Sequence, residues 1–229
     1  LRSGEGYFSL DGKWMIFQSE REASNPFYQI YLMNRQTGAS HRVSPGLGKS
    51  TCAYIHPNGK KVIFSSTHED PQAQQKQTHE LNDRAAGKQK RYAWDYDPTY
   101  EIYETDLDGQ HFKKLTSAKG YDAEGSYAPN GQYIVFASNR QAYTTSLSNT
   151  DQTRLTQDPA YFMDLYRMNT DGSGLLKLTD VPGYDGGPFF SADNQKITWR
   201  RFSPDGQTAE IWTMDGEGKH QVQITHLNA

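Results

Sequence analysis

The sequence holds a single cysteine, Cys52, in 229 residues, which excludes an intramolecular disulfide and leaves the redox compartment open. It has no apolar run near the roughly 20 residues of a membrane-spanning helix, so direct membrane insertion is not expected. Charge of either sign is in little excess: the net charge is -3 and the pI about 6.2. Nucleic-acid binders ordinarily show a basic patch or a raised pI, so a nucleic-acid partner is set aside. The start at Leu1-Arg2 carries neither Met nor an apolar leader and is expected of a processed chain or a fragment. Aliphatic residues are sparse, with 34% hydrophobic residues overall and a mean hydropathy of -0.88. Aromatic mass takes their place in fifteen Tyr, ten Phe and four Trp, each burying a large area. Few but bulky core residues suit many short strands.

Residues 121–140, YDAEGSYAPNGQYIVFASNR, show the unit that recurs. A short strand ends at Pro129, Asn130-Gly131 turns the chain, and an aromatic, β-branched strand returns over 133–137. Asn-Gly predicts a type I′ hairpin, with positive φ at both residues. Each hairpin is followed by a strand such as Asp164-Leu165-Tyr166-Arg167-Met168, a turn such as Asp171-Gly172, and a strand such as Leu176-Lys177-Leu178-Thr179. The unit occurs four times, over about 7–44, 54–116, 126–179 and 189–225. Four strands in about forty residues is the size of one propeller blade. The fold class read here is therefore all-β: a β-propeller of four-stranded antiparallel blades, with four blades in this chain. In the fourth unit Phe202-Ser203-Pro204-Asp205-Gly206 imitates the first turn, but using it would leave 197–199 unpaired, so it is read as a loop.

The units differ at one place. Between the second and third strands the spacing is 13 residues from Phe17 to Ile30, 38 from Phe64 to Ile102, 29 from Phe136 to Leu165 and 12 from Trp199 to Ile211. Insertions thus fall at about 68–98 and 141–161. With successive strands antiparallel, these connections share one face with the loops between blades, and the hairpin turns occupy the other. Binding residues concentrate on loops held by a rigid scaffold, which makes the inserted face the functional one. In the first insertion Asp70-Pro71 and Gly87 predict an exposed polar helix over 71–86. The basic run Lys88-Gln89-Lys90-Arg91 follows, then the aromatic and acidic stretch from Tyr92-Ala93 through Trp94 and Asp95 to Pro98. The second insertion, rich in Ser and Thr, reads as loop, with a helical turn at Asp158-Pro159.

The repeated V-I-F-x-S strand, x-I-Y-x-M-N/D strand, D-G turn and K-x-L-T strand resemble the propeller repeats of TolB and its relatives. Gly120 to Glu124, Gly183 to Gly187 and the stretch from Lys49 to Tyr54 also look like segments of that group. The resemblance runs from about Tyr7 to Thr225. It implies a WD40-like (PD40) repeat protein of the bacterial envelope or periplasm, binding a protein or peptide without catalysis. Such propellers usually have six blades, so this chain is expected to be part of a larger one, with a closed four-bladed ring as the alternative. The alternative functions are the gating or substrate-binding propeller of a hydrolase or peptidase, and a metal-dependent lyase working in the channel. A lyase would favour a channel of His and Gln, whereas acids are found here.

Candidate binding residues on the inserted face are Tyr121, Asp122, Glu124, Tyr184, Asp185, Arg140, Arg200, Arg201, Trp94 and Asp95. Asp122, Glu124 and Asp185 fall where the first strand of a blade begins. Carboxylates converging on a channel mouth suit Ca²⁺, which takes six to eight oxygens, or a cationic peptide; capping of the local turn is the structural alternative for both Asp residues. On the binding reading, replacing Asp122 and Asp185 by Ala weakens binding and spares the fold. The three arginines follow second strands and are expected to pair with these acids across blades. Tyr121 and Tyr184 read as blade packing. Cys52 aligns with Glu124, near the channel, as an inert buried thiol. His68, Glu69, His79 and Glu80 share the first insertion, but a polar exposed helix accounts for them better than a metal clip. Neither HExxH nor GxSxG occurs.

Overall fold

The computed structural model describes residues 2–88 and 94–227. Gln89, Lys90, Arg91, Tyr92 and Ala93, read above as basic and aromatic, lie outside the described residues, as do the first residue and the last two. The described residues form four antiparallel four-stranded sheets, each in sequential strand order. Blade 1 comprises β1 (Ser3–Phe8), β2 (Trp14–Ser19), β3 (Gln29–Asn34) and β4 (Ser40–Arg42). Blade 2 comprises β5 (Ser50–Ile55), β6 (Lys61–Ser66), β7 (Glu101–Asp106) and β8 (Lys113–Lys114). Blade 3 comprises β9 (Asp122–Tyr127), β10 (Tyr133–Ser138), β11 (Asp164–Asn169) and β12 (Leu176–Lys177). Blade 4 comprises β13 (Asp185–Phe190), β14 (Lys196–Phe202), β15 (Ala209–Asp215) and β16 (Val222–Gln223). This is the β-propeller that the repeats predict.

The first hairpins differ from expectation in their turn. Ala128 N–H donates to Tyr133 O at 2.8 Å, which makes the connection four residues long, and only Gly131 is left-handed, at φ 72°. A longer loop needs one such residue where a two-residue type I′ turn needs two. In blade 4 Asn194 takes the same conformation, φ 62°. Asn130 acts through its side chain, whose oxygen accepts from Gln132 N–H at 3.0 Å, as Asp11, Asn58 and Asp193 do in the other blades.

The K-x-L-T signature also has a physical reason. Thr116 and Thr179 each accept a backbone N–H, from Ile102 and Leu165, at 2.9 Å. Each hydroxyl then donates to the acid that opens the third strand, Glu101 at 2.6 Å and Asp164 at 3.2 Å. Ser44 and Gln29 make the same pair in blade 1 at 2.7 Å. This clips an outer strand of only two or three residues to its neighbour.

Strand alternation gives each interior blade two apolar faces. Ile16, Ile30, Leu32 and Val43 of blade 1 pack on Val62, Phe64 and Tyr103 of blade 2. Ile63, Ile102 and Leu115 of blade 2 pack on Ile134, Phe136 and Tyr166 of blade 3. Val135, Leu165 and Leu178 of blade 3 pack on Ile197, Trp199 and Met214 of blade 4. Blade 4 repeats the same register, with Ile224 N–H donating to Ile211 O as Leu178 donates to Leu165. Yet Ile211 is 38% and Ile224 54% exposed, against 0% for Leu165 and 6% for Leu178. The outward face of blade 4 therefore exposes positions that are buried between blades elsewhere in the chain.

The first insertion holds the expected helix, and the second holds more helix than expected. Helix α1 spans Ala73–Ala85, and Gln77 ties it to blade 1 by donating to Ser24 O at 2.7 Å and accepting from Gly48 N–H at 3.2 Å. The second insertion, read as loop, contains α2 (Gln141–Thr144), α3 (Asn149–Gln157) and a 3₁₀ turn over Pro159–Phe162. Ser148 caps α3, its hydroxyl accepting from Asp151 N–H at 3.1 Å and donating to the Asp151 carboxylate at 2.7 Å. Ser148 is thus a side-chain N-cap, masked in the sequence by the surrounding Ser and Thr. The segment 203–208 is a tight connection between β14 and β15, whose pairing continues to Phe202 and Ala209.

Candidate functional site: an acidic, aromatic cavity on the inserted face

The first strand of every blade breaks its ladder at the same place. Glu5, Cys52, Glu124 and Gly187 all have left-handed backbones, with φ of 48°, 53°, 59° and 62°. The pairing of β1, β5, β9 and β13 with their neighbours shifts register around these positions. An extra residue in one strand of an antiparallel pair re-aims its side chain. Here all four bulge positions line one cavity of about 820 Å³, within the 300–1,000 Å³ usual for ligand sites. Beyond the bulges Tyr7, Tyr54 and Phe189 meet with ring centroids 5.4 to 6.0 Å apart and close the cavity toward the plain face. The opposite end opens among the inserted loops, and one side runs out along the uncovered face of β14, past Thr198 and Ile211.

Trp94 and Tyr96 form part of the wall. They rest on Tyr121, which is fully buried: Trp94 Nε1 donates to the Tyr121 hydroxyl at 2.7 Å, and the Tyr96 ring meets the Tyr121 ring edge-on at 5.1 Å. Asp97 fixes the segment from below. Lys49 donates to it at 2.9 Å and Lys76 at 2.7 Å, Lys76 also reaching Asp70. Burial alone would raise Asp97, but the two ammonium groups outweigh it and hold its carboxyl below the usual range. Asp95 sits on the rim, paired with Lys49.

Glu124 is the best-held acid of the wall. The Tyr184 hydroxyl donates to both of its oxygens, at 2.6 and 2.7 Å, and Gly187 N–H donates to one of them. Burial raises its carboxyl despite these donors and the nearby Arg200 guanidinium. Glu5 is raised for the same first reason, with Glu124 as a repelling neighbour. Cys52, buried between these two acids, has its thiol pushed far up, and so is an inert thiol. The backbone at Gly186 passes so close that a Cβ there would lie 2.1 Å from the Tyr184 hydroxyl, so this contact needs glycine at 186.

The structure places the sequence candidates differently from the expectation. Asp122 and Asp185 are fully buried and neither lines the cavity. Asp122 is paired with Arg140 and accepts from the Ser138 hydroxyl. Asp185 accepts from Arg201 at 2.8 Å and from Trp199 Nε1 at 3.0 Å. These pairs lie within one blade and do not cross between blades, because Arg140 follows β10 by two residues and Arg201 lies in β14, the strands that pair with the acids' own β9 and β13. The expectation that both acids can be removed without unfolding is therefore corrected: they tie first to second strands from inside. Of Asp122, Glu124 and Asp185 only Glu124 reaches the cavity, so the three do not assemble as Ca²⁺ ligands. Arg200 does line it, 5.8 Å from the Tyr184 ring centroid.

Among the described residues, the acids and histidines that bring three ligand atoms within 4.8 Å of one another are Asp106, Asp108 and His111, on a turn of the plain face. The insertion residues hold other partners. The His68 ring meets the Tyr103 ring at a tilt, centroids 4.2 Å apart, Glu69 meets Lys114, His79 meets Asp83, and Glu80 meets Arg84. The wall residues missed in the sequence include Glu5, Tyr7, Tyr54, Tyr96, Asp158 and Tyr161. Extending the repeat two residues ahead of Tyr7 aligns Glu5 with Cys52 and Glu124, which was the available signal.

No protein-family model matches the chain. An uncharacterized protein of Agrobacterium fabrum is 27% identical over 119 residues, covering 52% of this chain and 34% of that protein. Among solved structures, a putative TolB from Agrobacterium tumefaciens superposes with a TM-score of 0.66 at 19% identity, over 94% of this chain and 62% of that one. TolB from Acinetobacter baumannii gives 0.64 at 19% identity, over 98% and 43%. An oligogalacturonate lyase from Vibrio parahaemolyticus gives 0.57 at 13% identity, over 95% and 50%. The architecture is thus that of TolB-like propellers, and the chain spans about a third of the curated relative. Among the described residues no helix is long and apolar enough to cross a membrane.

Proposed function

We propose that this chain is the major part of a TolB-like binding propeller of the bacterial cell envelope, periplasmic in location, that holds a peptide segment of a protein partner in the cavity of its inserted face. The observation that carries this reading is the cavity itself. It is closed at one end by Tyr7, Tyr54 and Phe189, open at the other, and walled by residues from all the inserted loops. Large rigid aromatics with a few placed polar groups are the usual lining of a ligand site. The wall holds no histidine among the described residues, which speaks for binding over lyase chemistry. The uncovered face of blade 4 supports a propeller completed by further blades of the same repeat, with the insertions 68–98 and 141–161 kept on one face.

Display of random twelve-residue peptides tests this reading. Peptides enriched on the protein are expected to bind at least tenfold more weakly to Trp94→Ala and Tyr184→Ala, both of which keep the wild-type circular dichroism. No enrichment, or equal binding to both variants, overturns the site.

A further inference from the structure

We propose that the cavity recognises an organic cation, the ammonium or guanidinium group of a peptide, and holds it among Glu5, Glu124 and Asp158 against aromatic walls. This rests on the peptide-binding reading above and names the chemistry of the bound group. The charged residues of the wall are these three carboxylates and one guanidinium, Arg200. Arg200 is exposed and already directed to the Tyr184 ring and hydroxyl, the latter at 3.4 Å, so it leaves the excess of negative charge in place. Glu124 is held in place by its donors, beside Gly187. Glu5 is less satisfied: its Oε2 has no hydrogen-bond partner. Asp158 stands exposed at the mouth, where α3 hands over to the 3₁₀ turn.

Acids alone would not distinguish an organic cation from a metal ion. The walls do. Trp94, Tyr96, Tyr161 and Tyr184 face the same space, and aromatic faces attract ammonium and guanidinium groups by roughly 0.5–2 kcal/mol, more as water is excluded. Ca²⁺ needs six to eight oxygens around one point, whereas the wall acids do not bring three ligand atoms within 4.8 Å of one another among the described residues. An anion would meet the excess negative charge, and a neutral apolar group would strip water from the carboxylates without replacing it.

The test compares two capped tripeptides, acetyl-Ala-Lys-Ala-amide and its norleucine counterpart, which keeps the chain and lacks the charge. Binding is read by calorimetry and by the fluorescence of Trp94 and Trp199. The lysine peptide is expected to bind at least fivefold more tightly. Glu5→Gln and Glu124→Gln should each erase most of that preference, and Asp158→Asn, on the exposed mouth where folding is not at risk, should reduce it about twofold. Equal binding of the two peptides, or a preference that survives the Glu5→Gln, Glu124→Gln double variant, overturns the cation inference and leaves the peptide site standing. Binding of neither peptide, with no displayed peptide enriched, overturns both. A saturable heat from calcium chloride alone that Glu124→Gln removes overturns it in favour of a metal site.

Discussion

Asp122 and Arg140 form an ion pair inside blade 3, the acid with 0% and the guanidine side chain with 12% exposure, at a place where blades 1 and 2 set two serines face to face. Ser3 and Ser19 meet at 2.8 Å, and Ser50 and Ser66 at 3.0 Å. Blade 4 keeps the acid as Asp185 and sets Arg201, its direct cross-strand partner, in the place of the second serine. The repeat thus needs some polar clasp between first and second strands, and two blades use a charged one.

Breaking that clasp from one side leaves a buried charge without its partner. Asp122→Ala is expected to destabilise the chain by about 3–5 kcal/mol, seen as a lower urea midpoint. Asp122→Ser with Arg140→His, which copies Ser50 and His68 of blade 2, should recover much of the loss. A wild-type midpoint for Asp122→Ala would refute the structural role.

The acids that open the third strands give stability a pH dependence of known sign. Burial, only partly offset by Thr116 and Lys114, raises Glu101 from 4.5 to about 7, and burial likewise raises Asp164 from 3.8 to about 6. The folded chain therefore holds protons that the unfolded chain has released, so these groups make stability fall as pH rises from about 4 to 7. Glu101→Gln, which copies Gln29 of blade 1, should flatten that slope in denaturation curves taken at several pH values. An unchanged slope contradicts the assignment.

Equivalent apolar residues should differ in worth according to whether a blade covers them. Leu178→Ala is expected to cost about 2–5 kcal/mol. Ile224→Ala, at the same register on the open face, should stay within about 0.5 kcal/mol in this chain. Equal losses would mean that the face is covered in solution.

Much of this was legible in the sequence, and the rest was hidden for identifiable reasons. Blade number and strand order follow from hairpin signals and from β-branched and aromatic runs, which are local. The register of blade 4 was also readable, because Ile197 to Trp199 had to find a partner. The roles of Asp122 and Glu124 were not separable, although they stand two residues apart. Alternation would send both to one face, but the bulge at Glu124, φ 59°, turns one into the channel and leaves the other in the sheet. A left-handed Glu carries no compositional mark. Helix α3 was hidden because all its residues but Leu155 are polar and none is buried.

Within the first insertion, helix α1 reaches blade 1 through Gln77 and through the Arg84–Glu20 ion pair. Gln77→Ala removes both of its hydrogen bonds to blade 1 and should speed proteolytic cleavage within 73–87 severalfold, with the melting temperature of the sheets little changed. Cleavage at the wild-type rate would show that other contacts suffice.

The central claim is that ligands enter the cavity between the bulged first strands on the inserted face. A displayed peptide carrying a photoreactive benzophenone, cross-linked and mapped by mass spectrometry, tests it most directly. The account predicts labels on Trp94, Tyr96, Tyr161 or Tyr184; labels confined to the plain-face turns, at 106–111 or 128–133, would contradict it.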